Sequence, residues 1–94
     1  CSKLIAQIRD QVTVMREAYE DLMWDEHNLF AKANVQNPGG DLAGYGTWQG
    51  HLVRYDGLRV GLERMVAQAE AAGCPVPDEA LIWLDMPTPL APGA

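Results

Sequence analysis

Apolar residues recur every three or four positions through the first third of the chain. This spacing predicts one long amphipathic helix over about residues 2–34, because neither proline nor glycine interrupts it before Pro38. Ser2 can cap its first turn. Such a helix is not stable alone, so its apolar stripe needs a partner surface. The stripe consists of Leu4, Ile8, Val12, Met15, Tyr19, Leu22, Leu29 and Ala33.

A second amphipathic pattern follows a glycine-rich stretch. Residues 35–46 contain Pro38, Gly39, Gly40, Gly44 and Gly46, which predict a loop. Thr47 is a natural N-cap, so a second helix is expected over about residues 48–72, with Gly73 just beyond its end. Its core positions are Trp48, Leu52, Tyr55, Leu58, Leu62, Met65, Val66 and Ala69.

The last third of the chain predicts a shorter helix and a tail. Pro77, Asp78 and Glu79 favour the first turn of a helix over about residues 77–85, whose Leu81, Ile82 and Trp83 need burial. Residues 87–94 are expected to be a flexible, proline-rich tail. The predicted fold class is all-α, a long antiparallel helical hairpin with a short third helix packed on it, forming a single domain over residues 1–86.

Three glycines share one face of the second helix, opposite its apolar positions. Each glycine in a helix interior costs about 1 kcal/mol relative to alanine. Because Gly50, Gly57 and Gly61 lie in one narrow strip, we expect another backbone to approach there closely. The third segment or a partner helix is predicted to cover the strip.

Composition narrows the function classes without naming a function. The chain has 94 residues and a net charge of −6, and its three parts all carry more acids than bases. No basic stripe is present, which counts against an avid nucleic-acid binder but not against an enzyme that contacts RNA briefly. No apolar run approaches a membrane span, and no signal-peptide pattern opens the chain. A start at Cys1 rather than Met suggests a fragment released or trimmed from a longer protein.

The two cysteines are expected to meet at the open end of the hairpin. Facing positions in an antiparallel hairpin sum to a constant, here near 80 and shifted by several residues if the loop is asymmetric. Cys1 and Cys74 sum to 75. A disulfide there would enclose most of the chain and contribute roughly 4 kcal/mol in the loop-entropy model. Two free thiols, or a Cys1 thiolate activated at a helix N-terminus, are the alternatives.

Two ionisable residues interrupt the apolar arcs at matching heights. Glu26 falls between Leu22 and Leu29 on the first arc, and His51 lies inside the second arc. The register that joins the cysteines places position 49 opposite Glu26, so the two residues are predicted to meet near the closed end. Such a pair is typical of general acid–base catalysis. It is also typical of a buried polar pair that only fixes register, and both interpretations stay open.

Neighbouring residues complete the predicted site. Tyr45, Trp48, Arg54 and Tyr55 are expected to contact the substrate. Asp25, Glu26, His27 and His51 match no known metal-ligand spacing, so neither a metal nor another cofactor is predicted. Gly39-Gly40 follows no strand and precedes no Walker-type lysine, which argues against a nucleotide loop.

One run of residues resembles a known group of proteins. Gly46-Thr47-Trp48-Gln49-Gly50-His51, with an initial Cys on a long helix and the later run Gly73-Cys74-Pro75-Val76-Pro77, is similar to the small helical C-terminal toxin domains of bacterial polymorphic toxins, the Rhs-type and secretion-system effectors. The resemblance covers most of residues 1–86.

The resemblance implies a biological role and a type of reaction. It implies a toxin domain that is released from a carrier effector, is secreted or delivered into a target bacterial cell, and is neutralised by a cognate immunity protein. It also implies a hydrolytic, RNase-like activity with His51 as a catalytic residue and RNA as one candidate substrate. Because the acidic balance differs from the usual basic nuclease toxin, a non-catalytic helical module that binds a protein partner remains the alternative.

Overall fold

A computed structural model of the chain describes residues 1–23 and 48–89. Within them the chain forms three helices and no strand: α1 (Ser2–Met23), α2 (Trp48–Ala71) and α3 (Asp78–Asp85). α1 packs along α2, and the short α3 packs against both. The all-α prediction is therefore confirmed, and the bounds of α2 and α3 agree with the predicted ones to within one residue.

Some sequence predictions lie outside the described residues. They are the continuation of the first helix over residues 24–34, the loop 35–46 and residues 90–94 of the predicted tail. The first residues of that tail pack on the helices, since Pro89 is buried and Thr88 contacts Arg59. Among the described helices, none is long and apolar enough to cross a membrane.

Contacts at three heights establish the antiparallel register of α1 and α2. The positions of the paired residues sum to 69, 72 and 75, a nearly constant value, as an antiparallel hairpin requires. The hairpin prediction is therefore confirmed over its described length. The three contacts are the Cys1–Cys74 disulfide, the hydrogen bond from Gln11 Nε2 to the Leu58 carbonyl oxygen (2.8 Å) and the approach of His51 to Asp21.

The core lies between these two helices and under α3. The buried positions of α1 repeat at intervals of three and four residues, as the apolar stripe predicted. The residues of the hydrophobic core cluster are Ile8, Val12, Met15, Ala18 and Leu22 from α1, Tyr55, Leu62, Val66 and Ala69 from α2, Cys74, and Ala80 from α3. Tyr19 links the three helices, because its ring centroid lies 5.9 Å from that of Tyr55 and 5.4 Å from that of Trp83.

A single arginine of α2 anchors the C-terminal end of α3. Arg59 Nη2 donates a hydrogen bond to the Leu84 carbonyl oxygen at 2.9 Å. The last carbonyls of a helix lack partners within it and carry partial negative charge, so a guanidinium there is favourable. The prediction that all three large residues of α3 need burial is only partly correct. Trp83 is half-buried, but Leu81 and Ile82 are 42% and 59% exposed.

The glycine strip is not covered by α3. Gly57 is exposed, and a Cβ added there would meet no described atom within 4 Å. At Gly61 the nearest atom to such a Cβ is Gln11 Nε2 of α1, at 2.9 Å. The prediction that the third segment covers the strip is therefore wrong, because Arg59 holds α3 on a different face of α2 from Gly57.

The ends of the helices place the two cysteines. The Ile5 N–H donates to the Cys1 carbonyl oxygen, so Cys1 rather than Ser2 occupies the N-cap position of α1. α2 ends in a Schellman motif, in which Gly73 adopts a positive φ of 73° and the Cys74 N–H donates to the Ala69 carbonyl oxygen. The turn directs Cys74 into the core, and it forms a disulfide with Cys1 across a Cα–Cα distance of 5.4 Å.

We predict that the disulfide contributes about 4 kcal/mol to the free energy of unfolding, because it links two residues that are 73 positions apart in the sequence. Cys1→Ser should therefore melt far below the oxidised chain in a thermal scan followed by circular dichroism. The oxidised chain should fall to the same temperature in dithiothreitol, and the variant should not respond to the reductant. Equal melting temperatures of the oxidised and the reduced native chain would contradict the prediction.

We predict that alanine substitution has different effects at two glycines of α2. Gly57→Ala should raise the free energy of unfolding by about 1 kcal/mol, since helix propensity improves and nothing obstructs the methyl group. Gly61→Ala should be close to neutral, because the methyl group displaces the Gln11 amide and the hydrogen bond to Leu58 is lost. Urea unfolding checks both values. In a Gln11→Ala background Gly61→Ala should regain the full 1 kcal/mol, and a neutral result there would contradict the explanation.

Candidate functional site

His51 lies in the first turn of α2 and faces α1. Its Nδ1 atom is 3.9 Å from Asp21 Oδ2, near the end of α1. The imidazole side chain is 26% exposed and the Asp21 side chain 51% exposed. This distance is that of an ion pair rather than a hydrogen bond. An imidazole and a carboxylate on facing helices are thus brought together where solvent reaches both.

The sequence predicted Glu26, and not Asp21, as the carboxylate that pairs with His51. Glu26 and Tyr45 lie outside the described residues, and Trp48 begins α2 but its side chain is not described. The Glu26–His51 pair and a pocket lined by Tyr45 and Trp48 therefore stay predictions. Asp21 was missed because it does not interrupt the apolar arc of α1. The register could have found it, since Asp21 lies only three positions before position 24, which the cysteine pairing places opposite His51.

Tyr55, predicted as a substrate contact, is completely buried one turn after His51. Its ring packs on Tyr19, and its hydroxyl has no hydrogen-bond partner among the described residues. Burial raises the pKa of the Tyr55 hydroxyl, the Arg59 charge opposes this rise, and Tyr19 and Asp56 add to it. Tyr55 is thus a core residue of the hairpin, and its contact with a substrate stays a prediction.

The other described residues of the predicted site differ in how far they are exposed and in what they contact. Arg54 is exposed on α2, three residues after His51, so the two side chains are neighbours on the helix surface. Cys1 and Cys74 are joined in the disulfide, which excludes free thiols and a Cys1 nucleophile in this structure. Within residues 1–23 and 48–89, no group of three His, Cys, Asp or Glu side chains could hold a metal ion.

The geometry of the pair restricts what it can do chemically. The Nδ1 edge of the His51 ring faces Asp21, and Nε2 is the second ring nitrogen that can exchange a proton. A carboxylate beside Nδ1 also favours one orientation of the imidazole ring. Comparisons with protein-family models, with curated proteins and with solved structures find no match to this chain.

We predict that Tyr55→Phe increases the free energy of unfolding by about 1 kcal/mol, since it removes a buried hydroxyl that has no described partner. Urea unfolding of the two proteins measures the difference. Tyr19→Phe is the matched control, because Tyr19 is only half-buried, and it should change stability by less than Tyr55→Phe. A loss of stability in Tyr55→Phe would show that the hydroxyl is satisfied in the folded protein.

Proposed function

We propose that this domain is the C-terminal toxin domain of an effector used in competition between bacteria, and that it is a hydrolase in which His51 transfers protons. The observation that carries the proposal is the approach of His51 Nδ1 to Asp21 Oδ2 on the facing helices, at 3.9 Å. The resemblance of the run from Gly46 to His51 to polymorphic toxins supports the biological role. Asp21 takes the part of the carboxylate beside His51, and the pairing of His51 with Glu26 stays a prediction.

The proposed chemistry is general acid–base hydrolysis. The neutral imidazole accepts a proton at Nε2 from the attacking hydroxyl, which belongs to water or to a ribose, while the carboxylate of Asp21 stabilises the imidazolium that forms. The imidazolium then returns the proton to the leaving oxygen, so the enzyme ends the cycle in its starting state. Arg54, exposed one turn away, is placed to contact an anionic substrate such as the phosphodiester of RNA.

The disulfide agrees with the proposed route of the toxin. Disulfides form and persist outside the reducing cytosol, in extracellular and periplasmic compartments. A domain that is secreted or delivered into another cell passes through such compartments. The carrier effector before release and a cognate immunity protein in the producing cell are the protein partners that this role requires.

A non-catalytic helical module that binds a protein is the second candidate function. The observation that favours it is apolar exposure on α2, where Val53 is 72% and Val60 45% exposed. In that case the contact between His51 and Asp21 would serve the hairpin alone. The two candidates differ in their dependence on His51, and one experiment separates them.

We predict that His51→Ala abolishes killing when the domain is expressed inside a bacterial host whose cytoplasm permits disulfide formation. Loss of a general acid–base group reduces turnover by about 100-fold or more, and Asp21→Asn should weaken killing to a smaller extent. Asp10→Asn removes a carboxylate on the exposed surface of α1 away from His51 and is the matched control. Viable counts measure killing, and thermal melts of the purified proteins verify folding.

The outcomes of this test separate the two functions. If folded His51→Ala kills as well as the native domain, the enzymatic proposal is rejected and the binding module remains. If the native domain kills and His51→Ala does not, a gel of total RNA from intoxicated cells decides whether RNA is the substrate. Should His51→Ala fail to fold, His51→Gln replaces it in the same assay.

A further inference from the structure

Part of the exposed surface of α2 is apolar, whereas the exposed surface of α1 is mainly polar. Val53, Gly57 and Val60 are all exposed, and their spacing of four and three residues places them on one face of the helix. We refer to these three residues as the α2 patch. The exposed face of α1 carries instead Lys3, Gln7, Asp10, Thr13, Glu17 and Glu20.

Gly57, in the middle of the α2 patch, lowers the stability of the helix and leaves its backbone accessible. The glycine lies inside a helix of 24 residues, where it costs about 1 kcal/mol relative to alanine. No described atom lies within 4 Å of where its Cβ would be. The described part of the fold therefore does not need a glycine here, in contrast to Gly61, which makes room for Gln11. Between two exposed valines the missing side chain allows another molecule to approach the helix backbone closely.

An acidic row begins beside the α2 patch and continues along the same side of α2 beyond its C-terminal end. Asp56, Glu63 and Glu70 are exposed and spaced by seven residues, so they line the same side of α2. Glu63 Oε1 also lies 3.8 Å from Arg59 Nε of its own helix. At the C-terminal end of the patch the exposed Arg64 limits the apolar surface.

We propose that the α2 patch docks a helix of a partner protein, and that this helix carries an apolar stripe beside a row of Lys and Arg residues. The apolar stripe would cover Val53 and Val60, and the basic row would face the acidic row. A second copy of this chain fits less well, because its net charge is −6 and an antiparallel pairing of two α2 helices places acidic row against acidic row. The proposal does not rest on His51, which lies on the side of α2 that faces α1.

A pair of synthetic peptides tests the proposal on the intact, disulfide-bonded chain. Both peptides form about five helical turns with leucines at intervals of three and four residues, and one edge carries lysines in the first peptide and glutamates in the second. Fluorescence anisotropy of the labelled peptides measures affinity at low and high ionic strength. The lysine peptide should bind at least about tenfold more tightly than the glutamate peptide.

Variants of the chain locate the binding surface. Val53→Asp and Val60→Asp should each weaken binding of the lysine peptide by about tenfold, whereas Thr13→Asp on α1 should leave it unchanged. Asp56→Lys should weaken binding more than Asp10→Lys, which makes the same charge change on α1. Gly57→Leu should weaken binding although it raises the melting temperature, a combination that a purely structural role of the glycine would not produce.

Three results would overturn the proposal. Equal affinity for the two peptides would remove the charge complementarity on which it depends. Equal effects of Asp56→Lys and Asp10→Lys would show that the peptide binds only through long-range attraction to the net charge of the chain. Sedimentation of the native chain as a dimer that Val60→Asp dissociates would assign the α2 patch to a second copy instead of a basic partner.

Discussion

The burial of one stripe of α1 against α2 is the constraint on which the described structure depends. A helix of 22 residues in water is marginally stable by itself, and α1 gains its stability by covering Ile8, Val12, Met15 and Leu22. The disulfide adds a second constraint at the end where the two helices would otherwise fray. Local geometry prepares it, because an N-cap at Cys1 and a Schellman turn at Gly73 bring the sulfur atoms together.

The same pairing decides how the polar residues of α2 are used. His51, Tyr55 and Arg59 follow one another at intervals of four residues, so they lie along one side of the helix. They nevertheless meet different surroundings along that line. His51 approaches a carboxylate of α1, Tyr55 is enclosed by the core, and Arg59 binds the C-terminal end of α3. Position along the hairpin, and not residue type, separates a candidate catalytic group from structural ones.

α2 therefore serves two proposed purposes on two of its faces. The face toward α1 holds the imidazole that the hydrolase proposal requires, and the outer face holds the apolar patch with its acidic edge. The two proposals are independent, because Val53 and Val60 are exposed on the outer face of α2 whereas His51 lies on the face toward α1. In the proposed toxin function, the face with His51 would supply the reaction and the outer face would bind a controlling protein, so the two proposals are compatible.

The sequence by itself determined the elements of this protein. Periodicity located α2 and α3 to within a residue, and the sum rule for an antiparallel hairpin brought Cys1 to Cys74, because both signals are encoded by short-range spacing and one reversal of direction. Only the tertiary structure decided what each face meets. It placed Asp21 opposite His51, left Gly57 open while Gly61 meets Gln11, and exposed Ile82 while Arg59 binds the end of α3. A shift of less than one helical turn between packed helices changes every such neighbour, and no periodic pattern along one chain records that shift.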